Sequence, residues 1–213
     1  MESARELMVI VLILLNLRLL GASRLNALVD TTVLQAMVIG ALAFLSHPTA
    51  SPWILAMVAA VTAVKAGLLP FLVRRAIRET GVTRELAPLV GYTVSLLLGA
   101  GMLGLGYLAA TPLLIPFGGA VQPLVPVTLF TVLTGLFLIV ARRKAITQVL
   151  GFITLENGIY LFGVAFAVRE PWLVQTGVLL DLFAAVFVMG IMICQINREF
   201  DHIDTDRLST LRD

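Results

Sequence analysis

Seven stretches of this chain run for about twenty residues each with hardly a charge, and that limits the folds open to it. A helix rises about 1.5 Å per residue, so about 20 apolar residues cross the roughly 30 Å hydrocarbon layer of a bilayer. The stretches lie at about residues 4–22, 26–46, 52–73, 86–110, 124–141, 145–168 and 172–196. None alternates apolar and polar residues, so the pattern predicts helices rather than barrel strands. Composition agrees: 59% of the 213 residues are hydrophobic and 13% charged, against about 25% charged in an average soluble domain. Too few charges remain to coat a soluble surface, which excludes a cytosolic enzyme with a polar cleft, a nucleic-acid binder and a disulfide-stapled secreted domain. The lone cysteine, Cys194, cannot bridge within the chain.

The first stretch resembles a signal-peptide core, but Glu2 and Glu6 outweigh Arg5 before it and no clean small-x-small cleavage site follows, so it is expected to be retained as a span. Basic residues then set the topology. Arg18, Arg24, Arg74, Arg75, Arg78, Arg84, Arg142, Arg143, Lys144, Arg198, Arg207 and Arg212 fall in alternate connections or after the last span. With seven spans, these twelve of the fifteen basic residues share one side, and the positive-inside rule makes that side the cytoplasm. The expected fold is therefore an all-α membrane protein: a bundle of seven transmembrane helices, N-terminus outside and C-terminus cytoplasmic. Its parts are a four-span region (1–110), an external loop (111–125) rich in proline and glycine (Pro112, Pro116, Gly118, Gly119, Pro123), a three-span unit (126–200) and a cytoplasmic tail (201–213).

Four ionisable residues fall inside spans two to seven: Asp30, Lys65, Glu156 and Asp181. A charge at mid-bilayer costs about 2.5–3.5 kcal/mol on insertion scales, so each such residue needs a partner or a purpose. Lys65, Glu156 and Asp181 sit near the centres of their spans, and Asp30 lies nearer a cytoplasmic end. Deep carboxylates and a deep base point to a proton or ion pathway, with a buried pair that merely fixes helix register as the rival. Pro70 adds to the case, because its missing N–H frees the carbonyl of Ala66 beside the lysine; a broken helix there is one expectation and a harmless proline kink the other. Asn157 accompanies Glu156, and Gln195 lies on Asp181's side of its helix. Gln148, Thr154 and Tyr160 spread around the helix of Glu156, so that helix is expected to be enclosed by protein.

Gly99, Gly101 and Gly104 spell a dinucleotide-binding GxGxxG. The soluble strand before it and the acidic residue after it are missing, so close helix packing through Ser95/Gly99, Ala100/Gly104 and Gly106/Ala110 is the better reading. His47 and His202 fall on opposite sides and Cys194 stands alone, so neither a metal site nor a catalytic centre is expected in this chain.

From Arg142 onward the chain resembles hydrogenase-4 component E, a membrane subunit of energy-converting hydrogenases of the formate hydrogenlyase type. The resemblance rests on Arg142-Arg143-Lys144, Gly151, Leu155-Glu156-Asn157-Gly158 and Asp181-Leu182-Phe183-Ala184-Ala185-Val186, with Lys65 to Pro70 similar to that family's third span. More distantly, the last three spans and the ending Asp204-Thr205-Asp206-Arg207-Leu208 resemble the K-subunit of complex I and the C-subunit of multisubunit antiporters. One departure stands out: anchored on Arg142, Gly151 and Asn157, the K-subunit glutamate falls at Ile153, and anchored on Gln195, the second acid falls at Ala185, each one turn from the acids here.

The resemblance implies a non-catalytic subunit in the membrane arm of a hydrogenase or complex I-like oxidoreductase of a bacterial cytoplasmic (inner) membrane. Iron–sulfur and nickel–iron centres would belong to partner subunits, and antiporter-like subunits would be neighbours. Glu156 and Asp181 would exchange a proton, Lys65 would modulate them and Asp30 would serve the cytoplasmic entry. The alternatives are a scaffold subunit without ion transport, a cation/proton antiporter subunit, and a free-standing transporter or receptor.

Overall fold

The computed structural model describes residues 2–46, 52–80, 84, 88–114 and 124–166. The expected seventh span, with Asp181 and Gln195, lies outside the described residues, as do His47, Cys194 and His202. The described chain is helical: α1 (Glu2–Gly21), α2 (Leu25–Ser46), α3 (Pro52–Ala63), a π-helical turn (Val64–Leu68), α4 (Leu69–Thr80), α5 (Tyr92–Leu114), α6 (Leu124–Ala141) and α7 (Ala145–Phe166). α3, the π turn and α4 follow one another without a gap. Among the described residues, five helices are long and apolar enough to cross a membrane: α2, the run Pro52–Arg78, α5, α6 and α7. α1 is of similar length, but Arg5, Glu6 and Arg18 set it apart from those five.

The fourth helix starts at Tyr92 rather than near 86, and the third runs on to Thr80 rather than ending near 73. Pro88 and Gly91 explain the first shift, since one lacks an amide donor and the other disfavours helix. The freed backbone is used elsewhere: the Leu89 amide donates to the Ala141 carbonyl at the end of α6 (3.0 Å). In the second case, Arg74, Arg75 and Arg78 lower hydropathy without breaking helix, because arginine is a good helix former. Before the proline-rich loop α5 runs on to Leu114 rather than ending near 110, and after it α6 begins at Leu124 as expected.

Pro70 does not break its helix. The Leu69 amide reaches back five residues to the Val64 carbonyl, so the chain takes up the proline by widening one turn into a π-helix that contains Lys65. The GxGxxG segment packs only in part. Gly99 abuts Leu20 and Gly106 abuts the backbone of Pro126, whereas a side chain at Gly101 or Gly104 would meet open space.

α6 and α7 form a tight antiparallel hairpin, and Gly135, Gly151 and Gly158 let their backbones touch. Around it, two apolar clusters are stacked along the bundle. One gathers Leu19, Leu25, Leu28, Leu69, Val73, Leu138, Val149 and Ile153. The other gathers Val9, Leu12, Ile39, Leu42, Val58, Val61, Val127, Leu161 and Val164. Between them, α1, α2, the π turn, α6 and α7 contribute buried polar residues: Asn16, Gln35, Lys65, Thr131, Glu156 and Asn157.

At one end of the bundle Arg142 is fully buried and donates to the carbonyls of Leu20 (2.7 Å) and Val90 (3.2 Å), with its guanidinium 4.7 Å from the centre of the Tyr92 ring. One side chain thus ties the ends of α1 and α6 to the start of α5. Lysine keeps the charge but loses the fork that reaches two acceptors at once. Arg142→Lys should therefore lower stability by about 1.5 kcal/mol, the lower end for hydrogen bonds to a charged group; equilibrium unfolding in mixed micelles measures it.

Candidate functional site

The polar layer contains two systems that meet on α7. Glu156 and Asn157 are consecutive, so their side chains leave the helix about 100° apart and reach different neighbours. Glu156 accepts a hydrogen bond from the Lys65 ammonium at 2.9 Å. Both partners are about 2% exposed, so the pair is a buried ion pair and not a surface one. The Tyr160 ring lies one turn beyond Glu156, its centre 5.6 Å from Lys65 Nζ, and covers the cation on a second side. The extra residue of the π turn sets where Lys65 points, which is how the sequence Lys65–Pro70 positions the base.

Asn157 turns the other way and donates to Gln35 Oε1 (3.2 Å). The Gln35 amide donates to Asn16 Oδ1 (3.0 Å), and the Asn16 amide donates to Thr131 Oγ1 (2.8 Å). Thr131 closes the chain by donating to the Val127 carbonyl at 2.7 Å. Four helices (α7, α2, α1 and α6) are thereby linked through their middles by neutral groups alone. Such a network holds register without the desolvation cost of charge. Its members Asn16, Gln35 and Thr131 were not among the expected site residues. Their signal was present, as uncharged polar side chains at mid-span, but a search for intramembrane charge passes over it.

Asp30 does not join this layer. It accepts from Arg74, midway along α4, at 2.7 Å, with both side chains about half exposed. Nine residues separate Arg74 from Lys65, a distance of about 13 Å along a helix. An exposed pair of this kind contributes no more than about 1 kcal/mol. The fold thus brings Lys65, Glu156 and Asn157 together, leaves Asp30 at the bundle end, and places Pro70 just beyond the π turn.

α7 is enclosed as expected: from Ala145 to Ala165 only Ile159 is exposed. Ile153, where the K-subunit alignment puts its glutamate, is buried in an apolar cluster with Val149 and Leu150. The acid of this chain stands one turn on, in the polar layer. Among the described residues, no three His, Cys, Asp or Glu side chains come together as metal ligands. The arrangement can hold, gain or release a proton at one carboxylate, and hold or release the ammonium facing it.

Comparison with known proteins adds to this geometry. Residues 123–213 match the family model for NADH-ubiquinone/plastoquinone oxidoreductase chain 4L. The chain is 35% identical over 155 residues to the uncharacterized protein Rv0085 of Mycobacterium tuberculosis, covering 72% of this chain and 70% of that one. It is 30% identical over 145 residues to hydrogenase-4 component E of Escherichia coli K12, covering 68% and 67% respectively. The component E of Shigella flexneri gives the same figures of 30% identity over 145 residues. No solved structure matches.

Proposed function

The chain belongs to the hydrogenase-4 component E family, and from that membership we propose that it is a non-catalytic integral membrane subunit of a hydrogenase-4/formate hydrogenlyase or complex I-like oxidoreductase, contributing to proton or cation translocation. The observation that carries the transport part is the Lys65–Glu156 ion pair, 2.9 Å long and buried between two apolar clusters. Two charges kept out of water at mid-bundle are costly, and hydrophobic residues of the same size would hold the fold at least as well. A proton arriving on Glu156 removes the charge that holds Lys65, and its departure restores that charge. Proton gain is thereby tied to movement of a cationic side chain in the π turn.

Asp181, on the following span, is the proposed exchange partner of Glu156, and Asp30 with Arg74 lies at the proposed cytoplasmic entry. The relevant redox centres, iron–sulfur and nickel–iron, are assigned to partner subunits, and other membrane subunits, antiporter-like ones included, are the expected neighbours. The reading includes seven spans, an outside N-terminus and residence in the bacterial inner membrane. The gathering of cationic residues supports that orientation, since Arg24 bridges Arg84, Arg74 pairs with Asp30 in the second turn of α2, and Arg142 donates to the Leu20 carbonyl at the end of α1.

The test uses membrane vesicles carrying the assembled complex. With Glu156→Gln or Asp181→Asn, electron transfer to the natural acceptor should persist while coupled ion movement falls at least ten-fold, about 1.4 kcal/mol of coupling. Unchanged pumping in both variants would refute the reading in favour of a scaffold, which the buried Lys65–Glu156 contact at 2.9 Å also fits. Purification of the intact complex without any redox metal would instead indicate an antiporter assembly.

A further inference from the structure

Beside Asp30, at the arginine-rich end of the bundle, lies a cleft whose arginines have no part in the proposed translocation. There Arg24, just before α2, and Arg84, in the segment between α4 and α5, form an isolated antiparallel bridge. Residues opposed in an antiparallel pair have Cβ atoms about 4.5–5.5 Å apart and project to the same side, where like charges repel. The bridge thus starts the two arginine side chains from neighbouring backbone positions on one side, and both line the same cleft. Neither forms a side-chain hydrogen bond or ion pair among the described residues, and both side chains are exposed. They line a cleft of about 490 Å³ together with Asn26, Ala27 and Asp30. The one carboxylate in that cleft, Asp30, is engaged by Arg74 at 2.7 Å.

Two guanidinium forks lining one cleft, with no side-chain acceptor among the described residues, suit one shared oxyanion, and phosphate, with several oxygens, matches both forks. The cleft lies where apolar helices give way to charged ends, which is the depth of lipid headgroups. A lipid brings its phosphate there anchored by its own chains, whereas a soluble phosphate must be captured from water against salt screening. A zwitterionic headgroup also carries a phosphate, but its ammonium would be repelled by the same two arginines. We propose that Arg24 and Arg84 clamp the phosphate of an anionic phospholipid, with the Asn26 amide as a further donor. The site does not depend on the transport reading, since none of its three donors belongs to the polar layer.

The test is native mass spectrometry of the full-length chain in mild detergent, titrated separately with phosphatidylglycerol, phosphatidylcholine and glycerol phosphate. Phosphatidylglycerol should be retained, and Arg24→Gln or Arg84→Gln should each weaken it about five-fold. Arg18→Gln, which removes an exposed charge outside the cleft, should leave it unchanged. Equal retention of phosphatidylcholine would overturn the proposal, as would phosphatidylglycerol binding unaltered in the Arg24→Gln/Arg84→Gln double variant. Equally tight binding of glycerol phosphate would make this a soluble-anion site and overturn the lipid assignment. Loss of a partner subunit from the purified complex of the double variant, with lipid retention unchanged, would make the cleft a protein-docking surface and overturn it likewise.

Discussion

Lys65→Met should destabilise the protein by about 3–5 kcal/mol, because it leaves the Glu156 carboxylate charged in an apolar interior without its cation. Glu156→Gln should cost less than Lys65→Met. Glutamine still offers a carbonyl oxygen to the ammonium, and the Tyr160 ring at 5.6 Å still covers it. The informative variant is the double Lys65→Met/Glu156→Met. Replacing a whole buried pair by apolar side chains of similar volume is often neutral or stabilising, so most of the loss should be recovered. Equilibrium unfolding in mixed micelles gives the three values, and the double-mutant cycle gives the coupling. Additive losses would show that the 2.9 Å contact carries no special energy and would weaken its use as a switch. Recovery of stability together with loss of coupled transport would separate holding the fold from performing the function.

The sequence makes some of this legible and hides the rest for physical reasons. The bounds of α6 agree with the expected 124–141, since nothing in that stretch competes with helix in lipid. Lys65 and Glu156 stand out because a mid-span charge is costly wherever it points. That they pair with each other is a contact across ninety-one residues, which no local pattern encodes. The link from Gln35 to Asn157 spans 122 residues and involves amides that barely lower hydropathy, so neither side chain draws notice until the helices are packed. Arg142 misleads in the opposite sense. In sequence it is one of three loop cations that set topology, whereas in the fold it is buried and serves as a three-helix clasp. The basic triplet carries both roles, and only packing tells its members apart.

The second large effect is expected at the α6–α7 seam. Gly135→Ala puts a methyl group against the backbone nitrogen of Leu155, and Gly151→Ala puts one 2.9 Å from the nitrogen of Ile139. Neither neighbour is a rotatable side-chain end, so the helices themselves must move apart. Overpacking of a rigid site costs about 1–3 kcal/mol, and contact with backbone places each substitution at the upper end, about 3 kcal/mol. The movement would also act on function, since Glu156 and Asn157 both project from α7 and meet partners on α2 and the π turn with little slack. Gly104→Ala is the control, because a Cβ there meets nothing within 4 Å. In a helix interior that change should be neutral or stabilise by about 0.5–1 kcal/mol through lost chain entropy. Unfolding in mixed micelles should therefore separate Gly135 and Gly151 from Gly104 in sign or by several-fold in size. Similar small effects at all three would mean that the hairpin is looser than its geometry indicates, and that Glu156 is not held at the depth of Lys65 by backbone contact.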